Sequence, residues 1–337
     1  MLRVGIIGAG GIAGQHAYCY EHIPEAKVVA VADIIPERAA AIAARFGADA
    51  LDHGDRILER GDIDMVDICL PTYLHCEYAL KAAAKNLHIL CEKPIALDVA
   101  EGLRMIEAAD KAGVKFMIAQ VLRYFPEYVK AKALMEDGSI GKPVMVRTYR
   151  GGVHPGRVRA WYADIDRSGG AIQDTLIHDI DFLMHCFGPV KDVFVKGNTF
   201  KRQPNLEYNL VNMEFQNGVF AHLIVDWSQP ENGHFGTKFE ITGTKGMAEF
   251  NSDDSVPLRA SLTGGYKAAD GVAIPESPLE PRANPYTREI VGFIQCVENN
   301  TKPPIPAADA LEALNVVVAA LESERENKLV VVKGVFA

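Results

Sequence analysis

Gly8-Ala9-Gly10-Gly11-Ile12-Ala13 interrupts the chain between an apolar stretch, Arg3 to Ile7, and a helix-forming segment that ends near His22. The apolar stretch reads as a buried parallel strand, and the residues after it fit G-x-G-x-x-A in the strand-turn-helix setting that holds a dinucleotide. Gly8 permits the tight turn, Gly10 lets the backbone approach a pyrophosphate, and Ala13 is small enough for close helix-strand packing. Gly11 and Ile12 open the helix, where unpaired N–H groups and the positive end of the dipole favour phosphate.

The next strand, Lys27 to Asp33, ends in an acid 25 residues after Gly8. That spacing suits a carboxylate that accepts both ribose hydroxyls and repels a 2′-phosphate, so NAD is expected over NADP. The competing role for Asp33 is to cap the helix beginning at Pro36, and Arg38 nearby leaves NADP use open. Helix and strand then alternate: Gly54 to Arg60, Met65 to Leu70, Cys76 to Lys85, His88 to Glu92, Val99 to Ala112, Val114 to Gln120. This order predicts a doubly wound parallel sheet, a Rossmann domain closing near residue 122.

Ligands of such sheets sit at the carboxyl ends of the strands. Leu70, Pro71, Thr72 and His75, then Glu92, Lys93 and Gln120, are therefore expected at the cofactor. Lys93 is the first candidate for a working residue, because Pro94 fixes the chain immediately after it. A cis Lys93-Pro94 bond is one way to hold it. The plain alternative is a solvated Glu92-Lys93 pair at a strand end.

At 337 residues the chain is long enough for two cores, assigned here to 1–122 and 123–337. A net charge of -9 argues against a duplex nucleic-acid surface, which needs clustered Lys and Arg. No apolar run approaches the ~18 residues of a membrane span, and the first residues lack a secretory pattern, so a cytoplasmic location is expected. Six cysteines without a Cys-x-x-Cys pair indicate neither a disulfide framework nor structural zinc.

After Gln120 comes a helix from Glu127 to Glu136 and a strand from Val144 to Tyr149. Gly151 to Ile165, rich in Gly, His, Arg and aromatics, suits a binding loop. His154, Arg157, Arg159, Trp161 and Tyr162 would contact a polyol or sugar acid there; otherwise this is a solvated loop anchored by Trp161. A largely apolar helix from Ala171 to Cys186 carries Asp174, His178, Asp181 and His185 as one polar stripe. A polar stripe on a buried helix must face partners, water or a ligand.

From Val190 onward alternating strands joined by Gln216-Asn217-Gly218 and Gly243-Thr244-Lys245-Gly246 predict an antiparallel sheet with one free face, a candidate subunit contact. Asp253 to Pro285 reads as loop. Two scaffold-like helices, Thr287 to Asn299 and Ala308 to Glu326, and a strand at Leu329 to Val332 close the chain.

Gly8-x-Gly10-x-x-Ala13-x-x-His16, Pro71-x-x-x-His75, Glu92-Lys93-Pro94, Arg123-Tyr124-Phe125-Pro126 with Lys132, and Gly169-Gly170-Ala171-x-x-Asp174-x-x-x-His178-x-x-Asp181 occur in this order. In this the sequence resembles the glucose-fructose oxidoreductase and inositol dehydrogenase family, Gfo/Idh/MocA, over essentially its whole length. The resemblance implies an NAD(P)-binding Rossmann domain followed by an α+β domain with a large, mostly antiparallel open sheet, and homodimers or homotetramers joined through that sheet. It implies that Lys93, Asp174 and His178 border the nicotinamide and act on a secondary hydroxyl of a sugar or polyol.

In that reading His178 accepts the hydroxyl proton, Asp174 orients it or binds a second hydroxyl, and Lys93 donates to the reacting oxygen. Arg123 and Tyr124 join the candidate substrate contacts. With lysine as the electrophile, a metal on Asp174, His178 and Asp181 is unnecessary, and none is expected. Asp174-Thr175-Leu176-Ile177-His178 lies nearest the inositol-dehydrogenase branch, which points to a cyclic polyol. Tyr73 and Leu176 depart from residues common in the family, Asn and Gly. Two rival functions use the same fold: a non-catalytic NAD-sensing regulator, and an NAD-dependent glycoside hydrolase.

Overall fold

The computed structural model of the chain describes residues 1–199, 206–255, 258–262 and 281–336. The described residues belong to two compact units, Met1–Tyr124 with Glu276–Leu311 and Phe125–Pro275 with Glu312–Ala337. The chain thus does not divide once near residue 122. A later stretch returns to the first unit.

In that unit β1 (Leu2–Ile7), β2 (Ala26–Ala32), β3 (Asp49–Leu51), β4 (Met65–Ile68), β5 (His88–Glu92) and β6 (Phe116–Ala119) stand in the order β3-β2-β1-β4-β5-β6. Every neighbouring pair is parallel, the strand order of a dinucleotide fold. Val4, Ile6, Met65, Ile68, Ile89, Leu90 and Met117 are fully buried, as a parallel sheet covered on both faces requires. The helices are α1 (Gly11–Tyr20), α2 (Pro36–Ala43), α3 (Gly54–Leu58), α4 (His75–Ala84) and α5 (Val99–Ala112). Asp98 caps α5 by accepting the Glu101 N–H at 2.8 Å, and Gly113 ends it at φ +67°. β3 was not anticipated: three residues are too few to carry an alternating pattern.

The second unit opens with α6 (Pro126–Glu136). Its sheet comprises β7 (Pro143–Val153), β8 (Val190–Thr199), β9 (Glu207–Phe215), β10 (Phe220–Gln229), β11 (Gly236–Gly243), β12 (Gly246–Asn251), β13 (Leu258–Leu262) and β14 (Val330–Val331). They are ordered β13-β12-β11-β7-β10-β9-β8-β14, and β7 pairs β10 in parallel while the other pairs are antiparallel. Gly218 turns the β9-β10 hairpin at φ +85°. Ala221, Leu223, Val225 and Trp227 face the core, while Phe220 on the other face stays 41% exposed beside Met145, its partner in register, at 39%.

β7 runs past Tyr149 to Val153, so the expected loop begins as strand and continues in short 3-10 turns and α7 (Ile165–Ser168). β13 forms inside the stretch read as loop; residues 256–257 and 263–280 of that stretch lie outside the described residues. The expected continuous α-helix is instead a π-helical turn, Ile172–Leu176, leading into α8 (Ile177–Phe187). Among the closing helices, α9 (Pro285–Glu298) buries Ile290, Phe293 and Ile294 in one cluster with Val4, Ala13 and Ala17. At ~1.5–3 kcal/mol for each large apolar side chain buried, α9 is part of the first core rather than an addition to the second domain. The last helix, α10 (Ala307–Glu326), belongs to the first unit as far as Leu311 and to the second from Glu312. Among the described residues no helix is long and apolar enough to cross a membrane.

Candidate functional site

The glycine turn closes β1 onto α1. Gly8 has φ +96°, and a Cβ there would lie 2.5 Å from the Cys69 carbonyl oxygen, so neither its conformation nor its space admits a side chain. Gly10 has an ordinary extended backbone (φ -79°) and open space where a Cβ would stand. α1 begins immediately after it with no side-chain cap and no acid in its first turn. Gly11 is exposed and Ile12 half-buried there, and the first N–H groups are left for an anion. Ala13 is fully buried, so the helix lies close on the sheet.

Asp33 serves this turn. Its Oδ2 accepts the Ala9 N–H at 2.7 Å and its Oδ1 the Ile35 N–H at 2.8 Å. The N-cap of α2 is Ile35, which offers no side-chain bond; Asp33 therefore ties the end of β2 to the glycine turn and does not cap the helix. Carboxylate lone pairs remain for two ribose hydroxyls. Arg38 is exposed one turn on. These donors, the open space at Gly10 and the acid fit a dinucleotide.

At the neighbouring strand ends, Leu70 and Pro71 are half-buried and Thr72 and His75 buried. Both His75 ring nitrogens face carbonyl oxygens, Pro94 and Leu70, each at 2.8 Å. Two such acceptors favour the imidazolium, but burial outweighs them and holds the His75 pKa below its ordinary value. His75 thus meets the site through the backbone just past the ends of β4 and β5 rather than with an open ring edge. The Lys93-Pro94 bond is cis, and the Lys93 N–H donates to Glu92 Oε2 at 3.1 Å. Gln120, just after β6, is 1% exposed with neither amide atom hydrogen-bonded, leaving a donor and an acceptor for a polar ligand.

Behind these ends His16 lies fully buried. Its Nδ1 is 2.9 Å from Asp67 Oδ2, its Nε2 3.2 Å from Glu92 Oε1. Burial disfavours the imidazolium, yet Asp67 and then Cys69 outweigh it and raise the His16 pKa well above the usual value. In the sequence His16 is only the last position of the glycine motif, with nothing beside it in the chain to indicate a role.

Arg123 and Tyr124, expected at a substrate, lie in the first unit. Arg123 donates to Asp309 at 3.0 Å with little side-chain exposure, and Tyr124 packs on the apolar core.

In the second unit Asp174 (8% exposed) stands on the π-turn and His178 is half-buried at the start of α8. Thr175 Oγ1 donates to Asp174 Oδ2 at 3.3 Å and accepts the Trp227 indole N–H at 3.0 Å. The expected stripe is interrupted: the wide turn shifts its phase, Asp181 is buried and His185 exposed.

His154 is buried edge-on to Trp227, ring centroids 4.8 Å apart, and its Nδ1 accepts the Gly156 N–H at 2.9 Å. Glu207 Oε1 lies 3.6 Å from His154 Nε2, while its Oε2 accepts the Ala171 N–H at 2.7 Å. Trp161 stacks on Tyr162 at 3.8 Å. Arg157 pairs with Glu231 at the surface, and Arg159 is exposed. Thr175, Glu207 and Trp227 were missed as site residues; only the inward phase of Trp227 on its strand hinted at one of them.

Residues 2–120 match the family model described as an oxidoreductase family with an NAD-binding Rossmann fold, and residues 128–249 match the GFO/IDH/MocA C-terminal domain. The inositol 2-dehydrogenase of Salmonella typhimurium is 30% identical over 267 residues, 77% of this chain and 76% of the relative. That of Rhizobium meliloti is 28% identical over 332 residues, 97% of this chain and 98% of the relative. The WlbA dehydrogenase from Bordetella pertussis, solved in complex with NADH and UDP-GlcNAcA, aligns with TM-score 0.87 at 22% identity over 98% of both chains, a likeness of fold.

Proposed function

Because the chain belongs to the Gfo/Idh/MocA family of oxidoreductases, with an NAD-binding Rossmann fold in its first unit, we propose that it transfers a hydride between NAD and a secondary hydroxyl of a cyclic polyol or sugar. The observation that carries this reading is the similarity to an inositol 2-dehydrogenase along 97% of the chain. Bound NAD supplies the hydride acceptor. The chain's own residues must then take the hydroxyl proton and steady charge on the oxygen.

His178 is half-buried and is the proton acceptor in this proposal, imidazole being the side chain best suited to exchange a proton under physiological conditions. Asp174, held by Thr175, orients it or binds a neighbouring hydroxyl, and Lys93 donates to the reacting oxygen. His154, Trp161 and Tyr162 are the substrate contacts we retain, with Arg157 at the rim. Asp33 directs the preference to NAD. The half-exposed sheet face with Met145 and Phe220 supports assembly into a homodimer or homotetramer.

The test is NADH formation over a panel of inositols and aldoses, with Lys93→Ala and His178→Ala beside the parental protein. Loss of an acid-base group typically lowers turnover ~10²–10⁴-fold, and NAD affinity is expected to persist in both variants. Parental turnover in both would defeat these roles, and absence of net NADH with every polyol and sugar would defeat the reaction.

A further inference from the structure

Asp67 and Glu92 place two carboxylates in the interior of the first unit, 0% and 7% exposed, from different strands. Buried carboxylates require a partner. The imidazole of His16 lies against both: Nδ1 is hydrogen-bonded to Asp67 at 2.9 Å, and Nε2 stands 3.2 Å from Glu92, close enough for an ion pair but without hydrogen-bond geometry. Around it stand the Cys69 thiol, 3.6 Å from Nδ1, the Tyr286 ring at 6.2 Å, and Tyr20, whose hydroxyl is raised by burial and then by Asp67.

His16 belongs to α1, six residues after Gly10, so the helix whose N-terminus receives the pyrophosphate carries the imidazole on its next turns. The other oxygen of Glu92 accepts the N–H of Lys93. The carbonyl of Pro94, on the far side of Lys93, is held by His75. His75, however, reaches only strand ends; His16 alone of the two joins Lys93's turn to α1.

We propose that His16 is a positioning residue that ties the cofactor-binding helix to the Glu92-Lys93 strand end, so that seating the dinucleotide and placing the lysine are mechanically one event. This rests on the role proposed for Lys93. In this proposal Asp67 fixes the imidazole in the core, and its charge acts on the Glu92 carboxylate whose other oxygen accepts the Lys93 N–H.

Two substitutions divide these contacts. In His16→Asn the amide nitrogen stands near the position of Nδ1, keeping Asp67 and losing Glu92; in His16→Gln the longer side chain reaches toward Glu92. His16→Asn is expected to lower kcat at least tenfold, the change made by ~1.4 kcal/mol in the barrier, with NAD affinity within about threefold. His16→Gln should recover most of that loss. Glu92→Gln, which keeps an acceptor for the Lys93 N–H, should reproduce the His16→Asn loss, and the double variant should lose no more than either single.

A readout free of any substrate is hydrogen exchange at the Lys93 amide, expected to accelerate about tenfold in His16→Asn but not in His16→Gln, by the same conversion. If the parental protein oxidises no polyol or sugar, the proposed reaction fails while the exchange result still judges the bridge. Equal kcat and equal exchange in the Asn and Gln variants would overturn it, as would additive losses in the double variant. A third reversal is available, because His16, Asp67 and Cys69 each bring a donor atom within 4.8 Å of one another: a parental Tm that falls with EDTA and returns with zinc alone would give the cluster to a metal instead.

Discussion

Adding one methyl group at Gly8 and one at Gly10 should separate folding from cofactor binding. Alanine at Gly8 must adopt φ +96° and place its Cβ 2.5 Å from the Cys69 oxygen and 2.8 Å from the Cys69 carbonyl carbon. A strained backbone region costs ~1–3 kcal/mol and overpacking a further ~1–3 kcal/mol, and both obstacles are backbone atoms of Cys69, just past the end of β4, that cannot rotate away. At ~2–4 °C per kcal/mol for a domain of this size, the ~2–6 kcal/mol total should lower the Tm of Gly8→Ala by about 4–24 °C. Gly10, at φ -79° with nothing within 4 Å, accepts the methyl without strain, and a compatible Gly→Ala change stabilises by ~0.4–1 kcal/mol.

The same methyl would fill the space through which the pyrophosphate approaches α1. Gly10→Ala should therefore melt at or slightly above the parental temperature while its NAD dissociation constant rises by at least tenfold, about 1.4 kcal/mol. Differential scanning fluorimetry with and without NAD reads both quantities. Parental NAD affinity in Gly10→Ala would refute the placement of the phosphates at α1, and a parental Tm in Gly8→Ala would refute the steric argument.

Asp33→Ser removes acceptors from the Ala9 and Ile35 N–H groups and a charge that would repel a 2′-phosphate; NAD should weaken about tenfold and the NAD:NADP ratio of kcat/KM should fall in steady-state assays. Arg150 donates to Asp179 at 2.6 and 3.3 Å, both groups buried; Arg150→Met leaves a buried carboxylate and should cost ~3–5 kcal/mol by urea unfolding, most of it regained in Arg150→Met with Asp179→Leu. For His16 the folded pKa is raised, so its ionic contribution is complete below the ordinary imidazole value and disappears as pH rises through the folded value. The parental Tm should therefore fall toward alkaline pH more steeply than that of His16→Gln, whose amide does not titrate.

The family pattern and the first unit's architecture were legible because their determinants are local. α5 spans Val99–Ala112 as read, since its cap Asp98 and its stop Gly113 are adjacent in the chain and act through their own backbone. The glycine turn was legible for the same reason: Gly8 meets a conformational demand that its own φ expresses. Strands of β10 showed their inward face through strict alternation. β3 escaped notice because its pairing with β2, not its own three side chains, makes it a strand.

What the amino-acid sequence by itself determined, then, was the order of elements, the dinucleotide turn and the chemical types at Lys93, Asp174 and His178. Tertiary structure alone decided that α9 returns to the first core, that a π-turn displaces the polar stripe around Asp174, and that Trp227 reaches Thr175 from 52 residues away. It also decided that His16 meets Asp67 across 51 residues. A buried ionic contact is favourable only where close geometry and further hydrogen bonds offset the desolvation of both partners, and no window of sequence contains both the charges and the groups that surround them.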